Sequence, residues 1–492
     1  MTTDDAHIAD EKRKEIVLAV RNSIKLAISL IITLGIAFAV RFWIPKFFGP
    51  EAFGKLNFAD RLTFAIFCFA TLGADSYIEK KVAVRAEHAS EFMGAFLLVR
   101  LVVFFLLLVA IAVILTLMGK DAQVHHLVFL FAVGQIFYVT NETFTALLEA
   151  KGTVNEVVFW RTASKIVWGG GIVAGALIWH RVEVVAVAFL VSEFIKVPML
   201  LAASRKHLEL KLLLNWAAAK AMIWASFPFF VNFLSHTLYA SVDVVMISGL
   251  TTDEEVGWYG AAMNLNGVVL LLMPVVNAVV LPMTARIAQL GEEALGETIR
   301  AAVRLMLTAT VPLALLVAIN AEYLVAFLFG DAYAPTVTSL RIISPIVPLT
   351  FLCVLLSIHL IQMEKIWTLV KITLTGLALN PTLNALLILP AYSHFGNGGA
   401  GMAAGMATTV TEIAITILLF RAIGKSSFDI KTLKLILRFG LICAILVTLF
   451  VLMEGLGIWR AFIIVLLYVV IAIPLGALPI KLFIERIRQF LG

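Results

Sequence analysis

Long apolar runs separated by short polar segments make up most of the chain. A helix needs about 20 apolar residues to cross the hydrocarbon core of a bilayer, where only helices or closed barrels satisfy the backbone. Fourteen such runs occur, and none shows the alternation of a strand. They fall at 24–44, 57–78, 92–117, 124–149, 157–179, 183–203, 221–248, 257–283, 299–320, 338–361, 366–389, 399–421, 433–453 and 460–482. The pattern predicts an all-α polytopic membrane protein with about 14 transmembrane helices.

Composition agrees with this prediction. Hydrophobic residues make up 61% of the 492 residues and charged residues only 14%, too apolar for a soluble protein. The net charge of +6 comes from basic residues scattered through short loops, which argues against a nucleic-acid partner. Cys68, Cys353 and Cys443 lie singly inside apolar runs. Neither a metal site nor a disulfide nor a cofactor is therefore expected.

The loops indicate the orientation of the chain. Lys and Arg concentrate in alternate loops, whereas the loops on the other side hold only Lys46, Lys55, Lys120, Arg181 and Arg460. By the positive-inside rule the N- and C-termini are cytoplasmic. Residues 1–23 carry both signs of charge and precede a long apolar run with no small-residue cleavage site. We expect a cytoplasmic N-terminal segment followed by an uncleaved first span.

Three sequence echoes indicate an internal duplication. Phe48–Leu62 matches Glu254–Leu265 at an offset of 203, with Gly54 aligned to Gly257. Val99-Arg100-Leu101 recurs as Val303-Arg304-Leu305 at an offset of 204, and Glu193 recurs as Glu412 at 219. Each echo joins one span to the span six further on.

A repeat of six helices predicts two six-helix lobes related by a pseudo-two-fold axis along the membrane normal, plus two C-terminal helices. The predicted domains are the cytoplasmic segment 1–23, an N-lobe at 24–210, a C-lobe at 211–425, and the last two helices with a cytoplasmic tail at 426–492. The Phe48–Leu62 stretch is interpreted as an outer hinge.

Charged residues inside the spans are the candidates for chemistry. Each costs at least about 2.5 kcal/mol near the bilayer centre, so each needs a partner, water or a ligand. Arg161 and Lys165 lie one helical turn apart in span five. The cations predicted in the inner halves of spans are Arg100, Arg161, Lys165, Arg304 and Lys371. They would suit a phosphate or pyrophosphate in a cavity open to the cytoplasm. Alternatively, they extend to the interface or pair with carboxylates such as Glu142.

A second set of residues is predicted to act in gating or ion coupling. At the 203 offset Asp243 aligns with Val40, next to Arg41, so these two charges could pair and close the outer mouth. Glu193 and Glu412 lie mid-span at matching positions and could carry a proton, or could hydrogen-bond within each lobe. The remaining members of this set are Asp60, Arg61 and Asp75.

Four stretches carry a resemblance to a known family. They are FGPEAFGKLNFADRL (48–62), FFVNFLSHTLYASVDVVMISGL (229–250), LFGDAYAPTVTSLRIISP (328–345) and FGNGGAGMAAGMATT (395–409). With their Gly-Pro-Glu-x-Phe-Gly turn, their aspartate in span seven (Asp243), their Phe-Gly-x-x-Tyr elbow and their Gly-Gly-Ala helix start, they resemble the Wzx polysaccharide-export flippases. These flippases belong to the multidrug/oligosaccharidyl-lipid/polysaccharide (MOP) exporter superfamily.

The resemblance implies alternating access by the two lobes. The substrate would be an oligosaccharide on undecaprenyl pyrophosphate, moved from the inner to the outer leaflet of the bacterial cytoplasmic membrane to make surface polysaccharides such as lipopolysaccharide or exopolysaccharide. The implied partners are this lipid, the bilayer, and a polymerase with its chain-length machinery.

Other functions remain open at this stage. A related drug or cation antiporter of the MATE type would have an acidic or apolar cavity and usually 12 helices. A membrane glycosyltransferase or polymerase would need a long outer loop with catalytic residues. Lipid scrambling and a scaffolding role are further alternatives. No phosphate-cradling glycine loop or nucleophile elbow occurs in the chain, so we expect a transporter rather than an enzyme.

Overall fold

The computed structural model describes residues 3–75, 77–78, 88–208, 210–211, 213–270, 287, 292–424, 427–453, 455 and 459–474. All regular structure within these ranges is helical, which confirms the all-α class. Among the described residues, 11 helices are long and apolar enough to cross a membrane. The count of 14 stays a prediction, and 271–283 and 475–482 of the predicted spans lie outside the described residues.

The helices are labelled in chain order. They are α1 (Thr3–Phe67), α2 (His88–Leu117), α3 (Ala122–Ala150), α4 (Val154–Trp179), α5 (Glu183–Leu208), α6 (Trp216–Leu250), α7 (Asp253–Leu270), α8 (Glu292–Ile319), α9 (Ala321–Leu328), α10 (Thr336–Ile343), α11 (Ile346–Gln362), α12 (Ile366–Phe395), α13 (Gly399–Ile423), α14 (Ile430–Leu452) and α15 (Trp459–Ala472). Short 3₁₀ helices occur at Cys68–Thr71 and Asp331–Tyr333.

Helix α1 contains the first two predicted spans and bends between them. Gly49 leaves helical geometry at φ 81° and ψ 172°, and Pro50 follows it. Because proline has no N–H to continue the ladder and glycine accepts a positive φ, the bend occurs at this pair. The second span ends earlier than the predicted residue 78, since α1 stops at Phe67 and passes into the 3₁₀ helix.

The predicted tenth span, 338–361, is two helices rather than one. Pro345 lies between α10 and α11 and serves as the N-cap of α11. A proline cannot donate to the preceding turn, so the regular helix is interrupted there. The two pieces together still form one apolar segment, Thr336–Gln362, long enough to span a membrane.

The chain divides into two compact units. Unit 1 consists of Met1–Ile44 and Ala59–Leu234, and unit 2 of Pro45–Phe58 and Ser235–Gly492. Helices α1 and α6 therefore each contribute to both units.

The core of unit 1 lies among α2, α3, α5 and the start of α6. Helix α5 packs along both α3 and α4. Phe96, Phe144 and Met222 are fully or almost fully buried in one hydrophobic cluster there. Inside a bilayer such contacts stabilise the helices through close van der Waals packing, because lipid is as apolar as the side chains.

In unit 2, α13 packs against α10, α11 and α12. Small residues permit this approach: Gly405 lies against Ile343, and Gly376 lies against Ile415. Glu322 of α9 connects α15 to the rest of unit 2, because it accepts hydrogen bonds from Arg460 of α15 and from Arg341, both at 2.8 Å.

Candidate functional site

Asp60 lies within a cationic cluster in unit 1. The charges that act on its carboxylate belong to Arg61, Arg41 and Lys165. Arg41 and Asp60 lie on opposite sides of the α1 bend, and Lys165 comes from α4. The bend in α1 and the packing of unit 1 therefore bring together three cations and one carboxylate that the sequence had assigned to two different roles. The excess of positive charge suits an anion.

Arg161 stands one turn before Lys165 on α4. Its guanidinium pairs with Glu149 at 3.0 Å and with Glu142 at 3.7 Å. The Arg161 side chain is nevertheless 47% exposed, so these pairs are weak and exchangeable. Lys165 lies over the ring of Trp168, with Nζ 4.1 Å from the ring centroid. Among the described residues, neither side chain takes part in a fully buried ion pair, so both are candidates for binding a ligand.

Glu193 belongs to a closed ion pair next to this cluster. Lys196 Nζ lies 2.9 Å from Glu193 Oε2, and Asn141 Nδ2 donates to the same oxygen at 2.9 Å. Both charged side chains are buried. Glu193 is thus compensated by a cation one turn away on its own helix.

Arg100 is buried and holds in place the 3₁₀ helix that follows α1. Its side chain, only 1% exposed, donates to the carbonyls of Ala70 and Thr71 at 2.9 and 3.3 Å and to Thr143 Oγ1 at 2.7 Å. Thr143 in turn donates to Asp75 Oδ1 at 3.0 Å. Because these acceptors occupy the guanidinium, we interpret Arg100 as a structural residue of unit 1 and not as a cation that binds a ligand. Asp75, which accepts from Thr143 in the same network, has the same structural role.

The two remaining predicted cations lie in unit 2. Arg304 pairs with Asp429, the N-cap of α14, at 3.1 Å, and Lys371 is exposed on α12. Burial raises the pKa of the Asp429 carboxyl, but the hydrogen bonds from Thr432 and the charge of Arg304 outweigh burial, so this pKa lies below its usual value. A single cavity shared by the cations of both units stays a prediction.

Asp243 is the centre of a buried polar cluster in unit 2. Its Oδ2 accepts from Tyr259 Oη at 2.7 Å and from Thr408 Oγ1 at 2.5 Å, and its Oδ1 accepts from Asn384 Nδ2 at 2.7 Å. Asn384 also donates to Asn380 Oδ1 at 2.9 Å, while its own Oδ1 is buried and has no hydrogen-bond partner among the described residues. Side-chain oxygens from four helices, α6, α7, α12 and α13, therefore converge on one point.

These contacts bear on the predicted Arg41–Asp243 gate. For Asp243 the structure shows three donors inside unit 2, and for Arg41 it shows the charges of Arg61 and Asp60 inside unit 1. Each charge thus has partners within its own unit, and the gate pairing gains no support from them.

Glu412 lies one turn beyond Thr408 on α13, and Tyr239 lies one turn before Asp243 on α6. Tyr239 Oη donates to Glu412 Oε1 at 2.6 Å. The sequence interpretation missed Tyr239, Tyr259 and Thr408. For Tyr239 and Thr408 the available signal was their i, i+4 spacing from Asp243 and Glu412, because residues four apart share a helix face. Tyr259 lies on a different helix, and no local signal marked it.

The two stretches of the predicted hinge echo meet in unit 2. Gly54 lies against the carbonyl oxygen of Asp253, and Gly257 lies against the carbonyl oxygen of Pro50. Nearby, the buried Glu255 carboxylate caps the start of α13, accepting from the N–H groups of Gly398, Ala400 and Gly401.

Solved structures of membrane transporters share this fold of apolar helices with buried charged clusters. A multidrug-resistance MATE family transporter of the MOP superfamily, in an inward-facing conformation, matches with a TM-score of 0.63 and 17% identity, over 81% of this chain and 97% of its own. The lipid II flippase MurJ, in an inward closed conformation, matches with a TM-score of 0.66 and 15% identity, over 91% of this chain and 98% of its own. The fold is that of the MOP-superfamily membrane transporters.

The sequence itself gives the family. The chain belongs to the polysaccharide biosynthesis protein family, whose model matches residues 19–288, more than half of its length. A second model, MatE, matches residues 228–386. No curated protein matches the sequence significantly. The predicted resemblance is confirmed at the level of this family, and the solved structures agree with it in fold.

Proposed function

We propose that this protein is a flippase that moves oligosaccharides linked to undecaprenyl pyrophosphate from the inner to the outer leaflet of a bacterial cytoplasmic membrane by alternating access. The family supports polysaccharide biosynthesis as the pathway, and the fold it shares with the MurJ lipid II flippase supports a lipid-linked cargo. Its partners would be this lipid, the surrounding bilayer, and a polymerase with its chain-length machinery.

The cationic cluster of unit 1 carries the proposal. Arg161 and Lys165 would bind the pyrophosphate, and Arg41 and Arg61 would add positive potential around Asp60. A pyrophosphate and its sugar cannot enter hydrocarbon unaided, because each unpaired polar group costs several kcal/mol. Cations that are only weakly paired replace the lost hydration, while the lipid tail stays in the bilayer.

The driving force has two candidate sources. Moving a charge of about −2 outward across an inside-negative membrane releases about 2.3 kcal/mol per charge per 100 mV. The Asp243 cluster of unit 2 would add coupling to a proton or a monovalent cation, because its converging oxygens include the unpartnered Asn384 Oδ1.

A MATE-like drug or cation antiporter is the second candidate. It is favoured by one observation, namely that the acidic clusters of unit 2 at Asp243 and Glu412 make no ion pair with Lys or Arg among the described residues. A membrane glycosyltransferase has no comparable support. Transport of a lipophilic cation dye into proteoliposomes distinguishes the antiporter from the flippase.

The direct test measures translocation of an undecaprenyl-pyrophosphate oligosaccharide in proteoliposomes, read as access of the sugar to an external lectin. We expect Arg161→Ala with Lys165→Ala to slow translocation at least about tenfold, because losing one charge-assisted hydrogen bond costs about 1.5–3 kcal/mol and 1.4 kcal/mol is a factor of ten.

Lys434→Ala is the matched control, since Lys434 is exposed at the start of α14. It removes one cation without touching unit 1 and should translocate at the wild-type rate. Wild-type translocation by the double variant, at equal protein level, would overturn the pyrophosphate site.

A further inference from the structure

Two buried glutamates at matching repeat positions have opposite surroundings. Glu193 and Glu412 align at the offset of 219, and each is 7% exposed. Glu193 has Lys196 within 2.9 Å on the same helix. At the same offset, the position of Lys196 is taken by Ile415. Unit 2 therefore keeps the buried carboxyl group and replaces its cation with an apolar side chain.

The neighbours of Glu412 are weak, neutral donors. Tyr239 Oη of α6 donates to Oε1 at 2.6 Å, and the thiol of Cys353 on α11 lies 3.4 Å from Oε2. Cys353 Sγ is also 3.2 Å from Thr416 Oγ1, one turn further along α13. Carboxyl, phenol, thiol and hydroxyl groups thus form a short chain across three helices.

In the part of the chain that the structure describes, the titratable groups that act on Glu412 lie on two helices. On α6 they are Tyr239 and His236, and on α11 the group is Cys353. Asp243, one turn along α6, acts on Tyr239. His236 is the basic group among them, but among the described residues it forms no ion pair with Glu412 within 4 Å, so an ionised carboxylate here lacks the adjacent ammonium that Glu193 has. Burying an unpaired charge is far more costly than burying a neutral acid.

We propose that Glu412 is a proton-binding site of unit 2, protonated in this conformation and deprotonated to water when the surrounding helices admit it, whereas the equivalent Glu193 is fixed as an ion pair. The exchange breaks one O–H bond of the carboxyl and forms one O–H bond on water, with no other reactant. The site lies one helical turn from the Asp243 cluster, so protonation of Glu412 would act on the helices that hold that cluster. This assignment does not depend on the identity of the transported cargo.

The test is infrared difference spectroscopy of the full-length protein in lipid nanodiscs at neutral pH. Subtracting the spectrum of Glu412→Gln from that of the wild type should isolate a carboxylic acid C=O stretch that shifts in D₂O and disappears as the pH is raised. The same subtraction with Glu193→Gln should isolate carboxylate bands. A carboxylate signal for Glu412, or a carboxylic acid signal for Glu193, would overturn the proposal.

Two variants that exchange the residue types of the equivalent positions 196 and 415 provide a matched check. Ile415→Lys rebuilds the unit 1 pair around Glu412 and should convert its acid band to carboxylate bands. Lys196→Ile removes the cation from Glu193 and should produce a new acid band. Should Glu412→Gln not yield folded protein, Tyr239→Phe serves instead. It removes the donor to Oε1 and should shift the acid band, and an unshifted band counts against the assignment.

The infrared spectrum tests the proton site, and the transport assay tests the proposed cargo, so either proposal can be refuted without the other. An acid band at Glu412 together with absent oligosaccharide translocation would refute the proposed cargo and keep the proton site. Oligosaccharide translocation together with carboxylate bands for Glu412 would support the proposed cargo and refute the proton site.

Discussion

Gly54 lies directly against the carbonyl oxygen of Asp253, and a Cβ built on Gly54 would overlap that oxygen. The reciprocal contact joins Gly257 to the carbonyl of Pro50. Position 50 aligns with 253, and 54 with 257, at the same offset of 203. The two echoes of the sequence thus pack against each other through equivalent atoms, and neither position has room for a side chain.

We expect Gly54→Ala and Gly257→Ala each to destabilise the protein by about 1–3 kcal/mol, the usual cost of overfilling a packed contact. Thermal unfolding of the purified protein checks this. Gly35→Ala is the matched control in α1, because a Cβ there meets none of the described side chains within 4 Å. It should be neutral or slightly stabilising, since alanine is the better helix former by about 0.5–1 kcal/mol. Equal melting temperatures for all three variants would contradict the contact.

How far the sequence predicts this structure depends on the range of the interaction. The bend at Gly49 follows from the local chemistry of a Gly-Pro pair, and the helices follow from the length of the apolar runs. The break between α10 and α11 at Pro345 also has a local cause, but the apolar run through it concealed the break.

The sequence did not show which groups each charged side chain contacts. Arg100 and Arg161 are both cations inside apolar helices, so the pattern assigned both to a ligand cavity. The structure separates them, because Arg100 meets the free carbonyls of the 3₁₀ segment at Cys68–Thr71, which no local signal marks. The echo did align Glu193 with Glu412. Whether each glutamate has a cation beside it depends on the residue one turn further on, which is Lys196 after Glu193 and Ile415 after Glu412.

Arg100 should tolerate no substitution, including lysine. Its planar guanidinium donates to acceptors on two segments, the 3₁₀ helix at Cys68–Thr71 and α3, whereas a lysine ammonium is a single point at the end of a flexible chain. We expect Arg100→Lys to destabilise the protein by about 3 kcal/mol or more, because buried carbonyls lose their donors. Denaturation monitored by tryptophan fluorescence measures it. Arg421→Lys, at an exposed position, is the control and should stay within about 0.5 kcal/mol of the wild type.

Asp243→Ala should be more destabilising than Asp243→Asn. The alanine leaves the donors of Tyr259, Thr408 and Asn384 without an acceptor, at about 1–3 kcal/mol each before any water enters. Asparagine keeps one acceptor oxygen. Melting temperatures rank the two variants, and the exposed Asp331→Ala in the same unit gives the baseline.

If sodium or potassium raises the melting temperature of the wild type and not that of Asp243→Asn, the cluster binds that cation; a shift retained in the variant places the ion elsewhere.

Asp429 gives a stability difference that depends on pH. It caps α14 by accepting from the Thr432 N–H at 2.8 Å and pairs with Arg304 at 3.1 Å. The pKa of its carboxyl lies below the unfolded value of about 3.9, so its charge stabilises the fold above that pH and stops doing so as the pH falls through the folded pKa. Asp429→Asn keeps a good cap and removes only the charge. The variant should therefore be less stable than the wild type at neutral pH, and the two unfolding curves should converge in acid. The pair is partly exposed, so the difference should also shrink as salt is added. A gap that persists unchanged at low pH would assign the stabilisation to the geometry of the cap and not to its charge.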